Sequence, residues 1–256
     1  MTVEWLPQTA LVLILIFARL GTLVMLMPGF SANGIPTRIR LAFALAVTFV
    51  MYPLISQYFP DVPETVFGAL VLLGHELAVG LMIGGVARLL TSAAQVAGST
   101  IAFQSGLAFA QTADPTQGGV QGAVFGNFIA VTGIAMVFAL DLHHLVLAAI
   151  YHSYELFTPQ SELMVGDATQ MAIKVVAASF TVGLQMAAPF VVFGLVFYFG
   201  LGVLARLMPQ IQVFFIAMPA NIMLGLVLFA VLIVMIMNFY MAHIEQFLSA
   251  LAGQGA

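Results

Sequence analysis

The stretch VFGALVLLGHELAVGLMIGGVARLL, residues 66–90, decides the fold class of this chain. A helix that crosses a bilayer needs about 20 predominantly apolar residues. This run is longer than that, and Glu76 and Arg88 are the only formally charged residues in it. The stretch therefore predicts a membrane-spanning helix that carries charged side chains within an apolar segment.

Five further apolar segments accompany this one along the chain. Leu41–Ile55 is short for a span, and Pro189 should kink the segment that contains it because proline removes one backbone hydrogen bond. The more polar stretch 96–111 is expected to be a helix buried in protein. We predict an all-α membrane protein with about six hydrophobic helical segments in hairpins. The five segments are Ala10–Pro28, Leu41–Ile55, Ala123–Ile150, Ala172–Leu204 and Ile211–Met241.

The composition excludes several classes of protein. Of the 256 residues, 62% are hydrophobic and 6% are charged, whereas soluble domains carry about 25% charged residues. The mean hydropathy is +1.13. The net charge of −4 leaves no basic surface large enough for nucleic acid. Because the chain has no cysteine, disulfides, thiolate catalysis and zinc–thiolate sites are excluded.

The charged residues between the segments indicate an orientation in the membrane. Arg38 and Arg40 follow the first segment, and Arg206 lies between the last two. Basic residues mark cytoplasmic loops. The loops 31–40 and 205–210 are therefore expected on the cytoplasmic side, and the loops 56–65 and 152–171 on the other side.

Polar residues inside the apolar segments are costly, at about 2.5–3.5 kcal/mol for a charged residue at mid-helix on insertion scales. They are Arg19, His75, Glu76, Arg88 and Asp141. One interpretation is a proton or ion relay; the other is salt bridges and hydrogen bonds between packed helices. We favour packing, because a relay would need more acids along one helix face.

The densest polar cluster consists of Asp141, His143, His144 and His152. A metal site would need three or four convergent ligands. The alternative, which we favour, is a helix end at a polar boundary. No catalytic motif is visible in the sequence, so an enzyme is not expected.

The longest polar interruption runs from Gln111 to Gly122, with turn signals at Asp114-Pro115 and Gly118-Gly119. Irregular polar backbone at membrane depth is tolerated only inside protein or along an aqueous cavity. The segment is therefore either a loop inside a pore or a surface loop, and composition alone favours the surface loop.

Several motifs, spread from about residue 19 to about residue 228, together resemble the FliR family, the R subunit of the flagellar type III export gate. Leu142 and Ala102 depart from the resemblance, because the family usually has glycine at each of these two positions. The motifs are the run from Pro28 to Leu41, Gln104-Ser105-Gly106 with Asp114-Pro115, Pro189, the run Arg206-Leu207-Met208-Pro209-Gln210, and Pro219.

The resemblance implies a non-enzymatic subunit that forms a closed gate with the P-type (FliP) and Q-type (FliQ) subunits. Its further expected partners are FlhB, FlhA, membrane lipid and the exported flagellar proteins that pass unfolded through the gate. The expected place is the bacterial inner membrane, within the flagellar basal body. The resemblance implies neither cofactor nor metal. It implies that residues 1–171 are similar to the P subunit and that residues 172–241 form a Q-like helical hairpin with its turn at 205–210.

The resemblance also implies roles for particular residues. The segment 109–122 would be a plug inside the pore, and Arg206, Pro209 and Gln210 would form the turn at the cytoplasmic entrance. Pro36, Arg38 and Arg40 would lie in the first cytoplasmic loop, and Arg19, Glu76, Arg88, Asp141 and His143 would be polar groups buried between helices. Alternatives are the corresponding subunit of a virulence injectisome and, with less support because no repeated halves are visible, a secondary solute transporter. The plug residues are Phe109, Gln111, Asp114, Pro115, Gly118, Gly119 and Gly122.

Overall fold

The described part of the chain is helical throughout its regular structure. A computed structural model describes residues 8–27, 35–59, 63, 65–108, 123–159, 161, 165–208 and 213–253. Within these residues there are eight α-helices and one short 3-10 helix, Ser56–Tyr58. The helices are α1 (Gln8–Leu26), α2 (Thr37–Ile55), α3 (Val66–Leu90), α4 (Ser92–Gln104), α5 (Ala123–Ala139), α6 (His143–Leu156), α7 (Val165–Leu207) and α8 (Val213–Leu251).

The helices confirm the predicted all-α membrane class. Five helical stretches are long and apolar enough to cross a bilayer, and α5 with α6 gives a sixth if this bent pair counts as one span. The number of apolar segments in the described residues thus agrees with the prediction of about six. The five stretches are Gln8–Leu26, Thr37–Tyr58, Val66–Gln104, Thr169–Leu207 and Ala217–Leu251.

Two details of the predicted segments were wrong. The second segment is not short: Thr37–Tyr58 has 22 residues, because the turn that carries Arg38 and Arg40 and the 3-10 helix both extend it. Pro189 lies inside α7, which continues as one helix of 43 residues, and the kink expected there stays a prediction. The single segment predicted at 123–150 is two helices that meet at an angle of 83°.

The described residues belong to two compact units that alternate along the sequence. Unit 1 comprises residues 1–90, 137–175 and 245–256, and unit 2 comprises residues 91–136 and 176–244. The division into 1–171 and 172–241, which rests on likeness to two other subunits, stays a prediction.

In unit 1, α1 packs against α2 and α3. Its core contains Leu15, Ile16, Leu20 and Ile55 together with Tyr154 of α6. Glycines shorten the distance between α1 and α3. A Cβ atom at Gly80 would collide with Thr22 and with the backbone of Arg19, and one at Gly84 would lie 3.2 Å from the Leu23 Cα. Small residues at a helix interface permit this close backbone approach.

In unit 2, α4 and α5 cross with their backbones close together at two glycines. A Cβ atom at Gly98 would overlap the backbone nitrogen and Cα of Gly126. The core around this crossing includes Ala94, Ala97 and Phe190. The small side chains of α4 and the glycines at the crossing therefore let the two helices approach closely, and no space is left there for a larger side chain.

The close approach at Gly98 predicts that a glycine-to-alanine substitution lowers stability there but not at a glycine with open space around it. Gly98→Ala forces a methyl group into the backbone of α5, and we expect it to lower the free energy of unfolding by about 1–3 kcal/mol, as overpacking does. Gly74→Ala is the matched control, because nothing lies within 4 Å of a Cβ atom there. The control should leave stability unchanged or raise it by up to about 1 kcal/mol, since alanine favours helix.

Thermal unfolding of the two variants and the wild-type protein, purified in the same detergent, measures this difference. An unfolding temperature of Gly98→Ala equal to or above that of Gly74→Ala would contradict the described crossing.

Candidate functional site

The most complete polar site in unit 1 is a buried ion pair. Arg19 of α1 and Glu76 of α3 are both fully buried. The guanidinium binds the carboxylate through two hydrogen bonds: Nε donates to Oε2 at 2.7 Å, and Nη2 donates to Oε1 at 3.0 Å. Paired, two-point contacts of this kind are the strong form of the arginine–carboxylate interaction. Among the residues whose burial is described, Glu76 is the only fully buried acid.

The same guanidinium also holds the C-terminal end of α6. Nη1 donates to the Ser153 carbonyl at 3.0 Å, and Nη2 donates to the Phe157 carbonyl at 2.8 Å. The ring of Tyr154 lies below the guanidinium, with its centroid 3.9 Å from Cζ. The last carbonyls of a helix lack partners within the helix and carry its partial negative charge. Arg19 therefore neutralises Glu76 and caps α6 at the same time.

This arrangement favours the packing interpretation of these charges over the relay. The hydrogen bonds of the guanidinium all end on groups of unit 1. His75, the next residue on α3, is nearly buried, and its Nδ1 lies 3.6 Å from Glu76 Oε1, which is beyond hydrogen-bonding distance. The site thus joins three helices, and among the described residues the hydrogen bonds of the Glu76 carboxylate come from Arg19 alone.

The other polar residues predicted to be buried lie at helix ends. Arg88 is exposed in the last turn of α3, and Asp141 is exposed in the turn between α5 and α6. Their predicted burial is therefore corrected: each belongs to an apolar segment by sequence but lies where that segment ends. His143 is half-buried, with its ring stacked on Phe138.

The residues predicted near the cytoplasm are described in part. Pro36 and Arg38 are exposed at the start of α2, and Arg40 Nε donates to the Ile35 carbonyl at 3.1 Å. Arg206 is exposed in the last turn of α7. Pro209 and Gln210 lie outside the described residues, as do the predicted plug residues Phe109, Gln111, Asp114, Pro115, Gly118, Gly119 and Gly122.

The residues that precede the predicted plug are held firmly in unit 2. Asn221 Nδ2 donates to the Gln104 carbonyl and to the Tyr198 hydroxyl, both at 3.3 Å. Gly106 has φ +71°, and a Cβ atom there would lie 2.9 Å from Asn221 Nδ2. Glycine is thus required at the point where the chain leaves α4, both by conformation and by space.

Sequence reasoning missed Asn221, although a signal for it was present. Asn221 is one of three amides in the apolar run 211–241, with Gln212 and Asn238, and it is almost fully buried. A buried polar group in such a run needs a partner, and the Gln104 carbonyl is that partner.

The residues that follow the predicted plug are also anchored in unit 2. Gly126 lies against Gly98, and the Phe125 ring is 4.7 Å from the ring of Phe229 on α8. The helices that precede and follow the segment 109–122 in the sequence are therefore both closely packed within one unit.

Comparison with known proteins gives a consistent picture. The sequence profile of the family described as "Bacterial export proteins, family 1" matches residues 10–247. The chain is 43% identical to "Flagellar biosynthetic protein FliR" of Caulobacter vibrioides, over 84% of this chain and 86% of that protein. It is 29% identical to the protein of the same name from Bacillus subtilis, over 93% of this chain and 94% of that protein. It is 26% identical to "Yop proteins translocation protein T" of Yersinia pestis, over 71% of this chain and 69% of that protein.

The buried ion pair predicts strong coupling between Arg19 and Glu76. Arg19→Met leaves a carboxylate buried without its cation, and we expect it to lower the free energy of unfolding by about 3–5 kcal/mol. Glu76→Leu should have a similar effect, because it leaves the guanidinium charge uncompensated. The double variant should lose clearly less than the sum of the single losses, since it removes both charges.

Thermal unfolding of the purified proteins in detergent provides the double-mutant cycle. Arg38→Met is the matched control, because it removes an exposed arginine at the start of α2 and should change stability by no more than about 0.5 kcal/mol. Additive single losses, or equal losses for Arg19→Met and Arg38→Met, would contradict the role assigned to the pair.

Proposed function

The chain belongs to family 1 of the bacterial export proteins, and from this premise we propose that it is a non-enzymatic core subunit of the flagellar type III protein export gate. The relatives named as flagellar biosynthetic proteins carry this proposal, because one of them is 43% identical over most of both chains. The several apolar helices and the flagellar relatives together indicate a membrane protein of the flagellar apparatus. The proposed location is the bacterial inner membrane, within the basal body.

The proposed partners are the P-type (FliP) and Q-type (FliQ) subunits, which would complete the wall of the gate, together with FlhB and FlhA. Large apolar side chains remain exposed along α7 and α8, among them Phe199 at 73% and Val231 at 71%. Exposed apolar surface of this extent requires lipid or another subunit to cover it. A subunit that leaves so much of two long helices uncovered is suited to assembly between neighbours in a membrane.

Residues 109–122 are proposed as the plug of the pore. The proposal is supported by the anchoring of both ends in unit 2, through Asn221 at Gln104 and through Gly126 at Gly98. The four glycines at 106, 118, 119 and 122 give the chain in and next to the segment conformational freedom that other residues lack. A passing polypeptide would then be able to displace the glycine-containing segment, while α4 and α5 on either side of it stay in place.

The entrance of the gate is proposed at the turn between α7 and α8. Arg206 is exposed in the last turn of α7, where a cation also interacts favourably with the helix C-terminus. In the assembled gate it would be available to partner subunits on the cytoplasmic side.

A related function in a virulence injectisome is the second candidate, because the Yersinia pestis relative is a Yop translocation protein. The identities favour the flagellar function, at 43% for the Caulobacter vibrioides relative against 26% for the Yersinia pestis one.

The composition of the native complex tests this proposal first. The tagged chain, extracted gently from its own host, should be found by native mass spectrometry in one large complex with P-type and Q-type subunits. Flagellar or injectisome identity of those subunits separates the two candidate functions. A tagged polytopic membrane protein unrelated to export, extracted from the same cells, is the control. Recovery of the chain as a monomer or homodimer alone would refute the export-gate proposal.

Shortening the proposed plug tests its role separately. Deletion of residues 111–121 should leave the complex assembled but raise the passive leak of small ions through membranes that contain it, because the closed pore loses its obstruction. Deletion of residues 162–164, between α6 and α7, is the control and should not change the leak. Equal ion leak in the two deletion variants, measured in cells that contain equal amounts of complex, would refute the plug.

A further inference from the structure

Asp141, His143 and His144 form a second polar cluster, at the sharp bend between α5 and α6 in unit 1. Each side chain offers one ligand atom, and these three atoms all lie within 4.8 Å of one another. The sequence alone favoured a polar helix end at this position. The structure instead brings the potential ligands of a metal ion together at one point, which the spacing of the residues did not establish.

The turn that presents these side chains is well held by its backbone. The Leu142 N–H donates to the Val137 carbonyl at 3.0 Å, and the His144 N–H donates to the Asp141 carbonyl at 3.1 Å. Asp141 itself has φ +58°, a left-handed conformation that non-glycine residues adopt rarely. The turn therefore fixes the positions of the three Cα atoms before any ion binds.

An unsatisfied nitrogen provides an independent reason to expect a ligand. Nδ1 of His143 is buried and has no hydrogen-bond partner, although buried polar groups are normally paired. The His143 ring contacts the rings of Phe138 and His144, whose centroids lie 5.6 Å and 4.2 Å away. A held imidazole with an unpaired nitrogen is a suitable ligand for a metal ion.

The other histidines of the chain are less suitable. His152 Nδ1 is 2.7 Å from the Glu155 carboxylate, and His243 Nε2 is 3.4 Å from the Ser179 hydroxyl. His75 lies next to Glu76, whose carboxylate is already bound to a cation, Arg19. His143 and His144 are the pair of imidazoles that share a carboxylate within ligand distance.

We propose that Asp141, His143 and His144 bind one divalent transition-metal ion of the zinc type. Two imidazoles and one carboxylate suit zinc, cobalt, nickel or ferrous iron, whereas magnesium and calcium prefer oxygen ligands alone. Bonds of about 2.0–2.2 Å to such an ion in tetrahedral geometry place its ligand atoms about 3.3–3.6 Å apart. A small side-chain rotation of the exposed Asp141 or His144 closes the remaining gap.

Such an ion would act on the turn at residues 140–142. It would bind this turn to the first residues of α6 and hold the N-terminal end of that helix in place. Three protein ligands leave at least one coordination position for water or for a side chain of a neighbouring subunit. The proposal does not depend on the export function, and its test uses the chain alone.

Metal titration of the purified chain tests this site. The full chain carries a tag without histidines, is freed of metal with a chelator and is titrated with Co²⁺, whose visible absorption reports imidazole and carboxylate ligands, and then with Zn²⁺. We expect one ion per chain, displacement of Co²⁺ by Zn²⁺, and a rise in the unfolding temperature on binding. Asp141→Asn and His144→Gln alter exposed side chains and should each weaken binding at least tenfold.

His152→Gln is the matched control and should leave the affinity within twofold of the wild type. If Asp141→Asn combined with His144→Gln weakens binding less than tenfold, or if the wild type binds no Co²⁺ at millimolar concentration, the proposal is wrong. A tenfold loss in His152→Gln would assign the ion to another site and would also overturn it. Because both variants alter exposed side chains and preserve His143 with its contact to Phe138, the test does not depend on a variant that fails to fold.

Discussion

The buried guanidinium of Arg19 is the interaction on which the arrangement of unit 1 depends. A charged group removed from water is stable only if its charge is paired and its hydrogen-bonding capacity is used. Arg19 meets both conditions only when α1, α3 and the end of α6 are in place together, because its partners are Glu76 and the carbonyls of Ser153 and Phe157. A buried ion pair adds little stability compared with apolar packing. What this pair contributes is a strong preference for one arrangement of three helices.

Close helix packing follows a different rule from the one that governs soluble proteins. Lipid is as apolar as a leucine side chain, so helices in a bilayer gain little from burying apolar faces against each other. Contact must come from close approach of backbones, and both units use glycine for it: Gly80 and Gly84 between α1 and α3, and Gly98 with Gly126 between α4 and α5. The glycines bring the backbones together, while Arg19 and Asn221 fix the positions of helix ends by hydrogen bonds.

The sequence predicted those features that depend on local composition. Apolar length was enough to identify the helices, and the cost of isolated charges was enough to single out Arg19 and Glu76. The sequence-based predictions failed where the structure depends on the residues at which helices begin and end. The arginines at the start of α2 were predicted to lie in a loop. The sequence around Asp141 did not predict its left-handed conformation or the turn there. Arg88 and Asp141 were assigned to the interiors of apolar segments, although they lie at the ends of helices. Asn221 was missed because the partner of its amide lies far away in sequence, at Gln104.

These contacts separate two tasks within the chain. In each unit a polar side chain holds a helix end: Arg19 holds the end of α6, and Asn221 holds the end of α4. Long apolar faces such as that of α7, where Leu195 is 69% exposed, are left without cover in the single chain. A chain built in this way defines its own helix termini and loop attachments, but needs other apolar surfaces to cover its long helices. Defined helix ends and uncovered apolar faces are compatible with a membrane protein of an export apparatus, where lipid or other subunits cover the long helices.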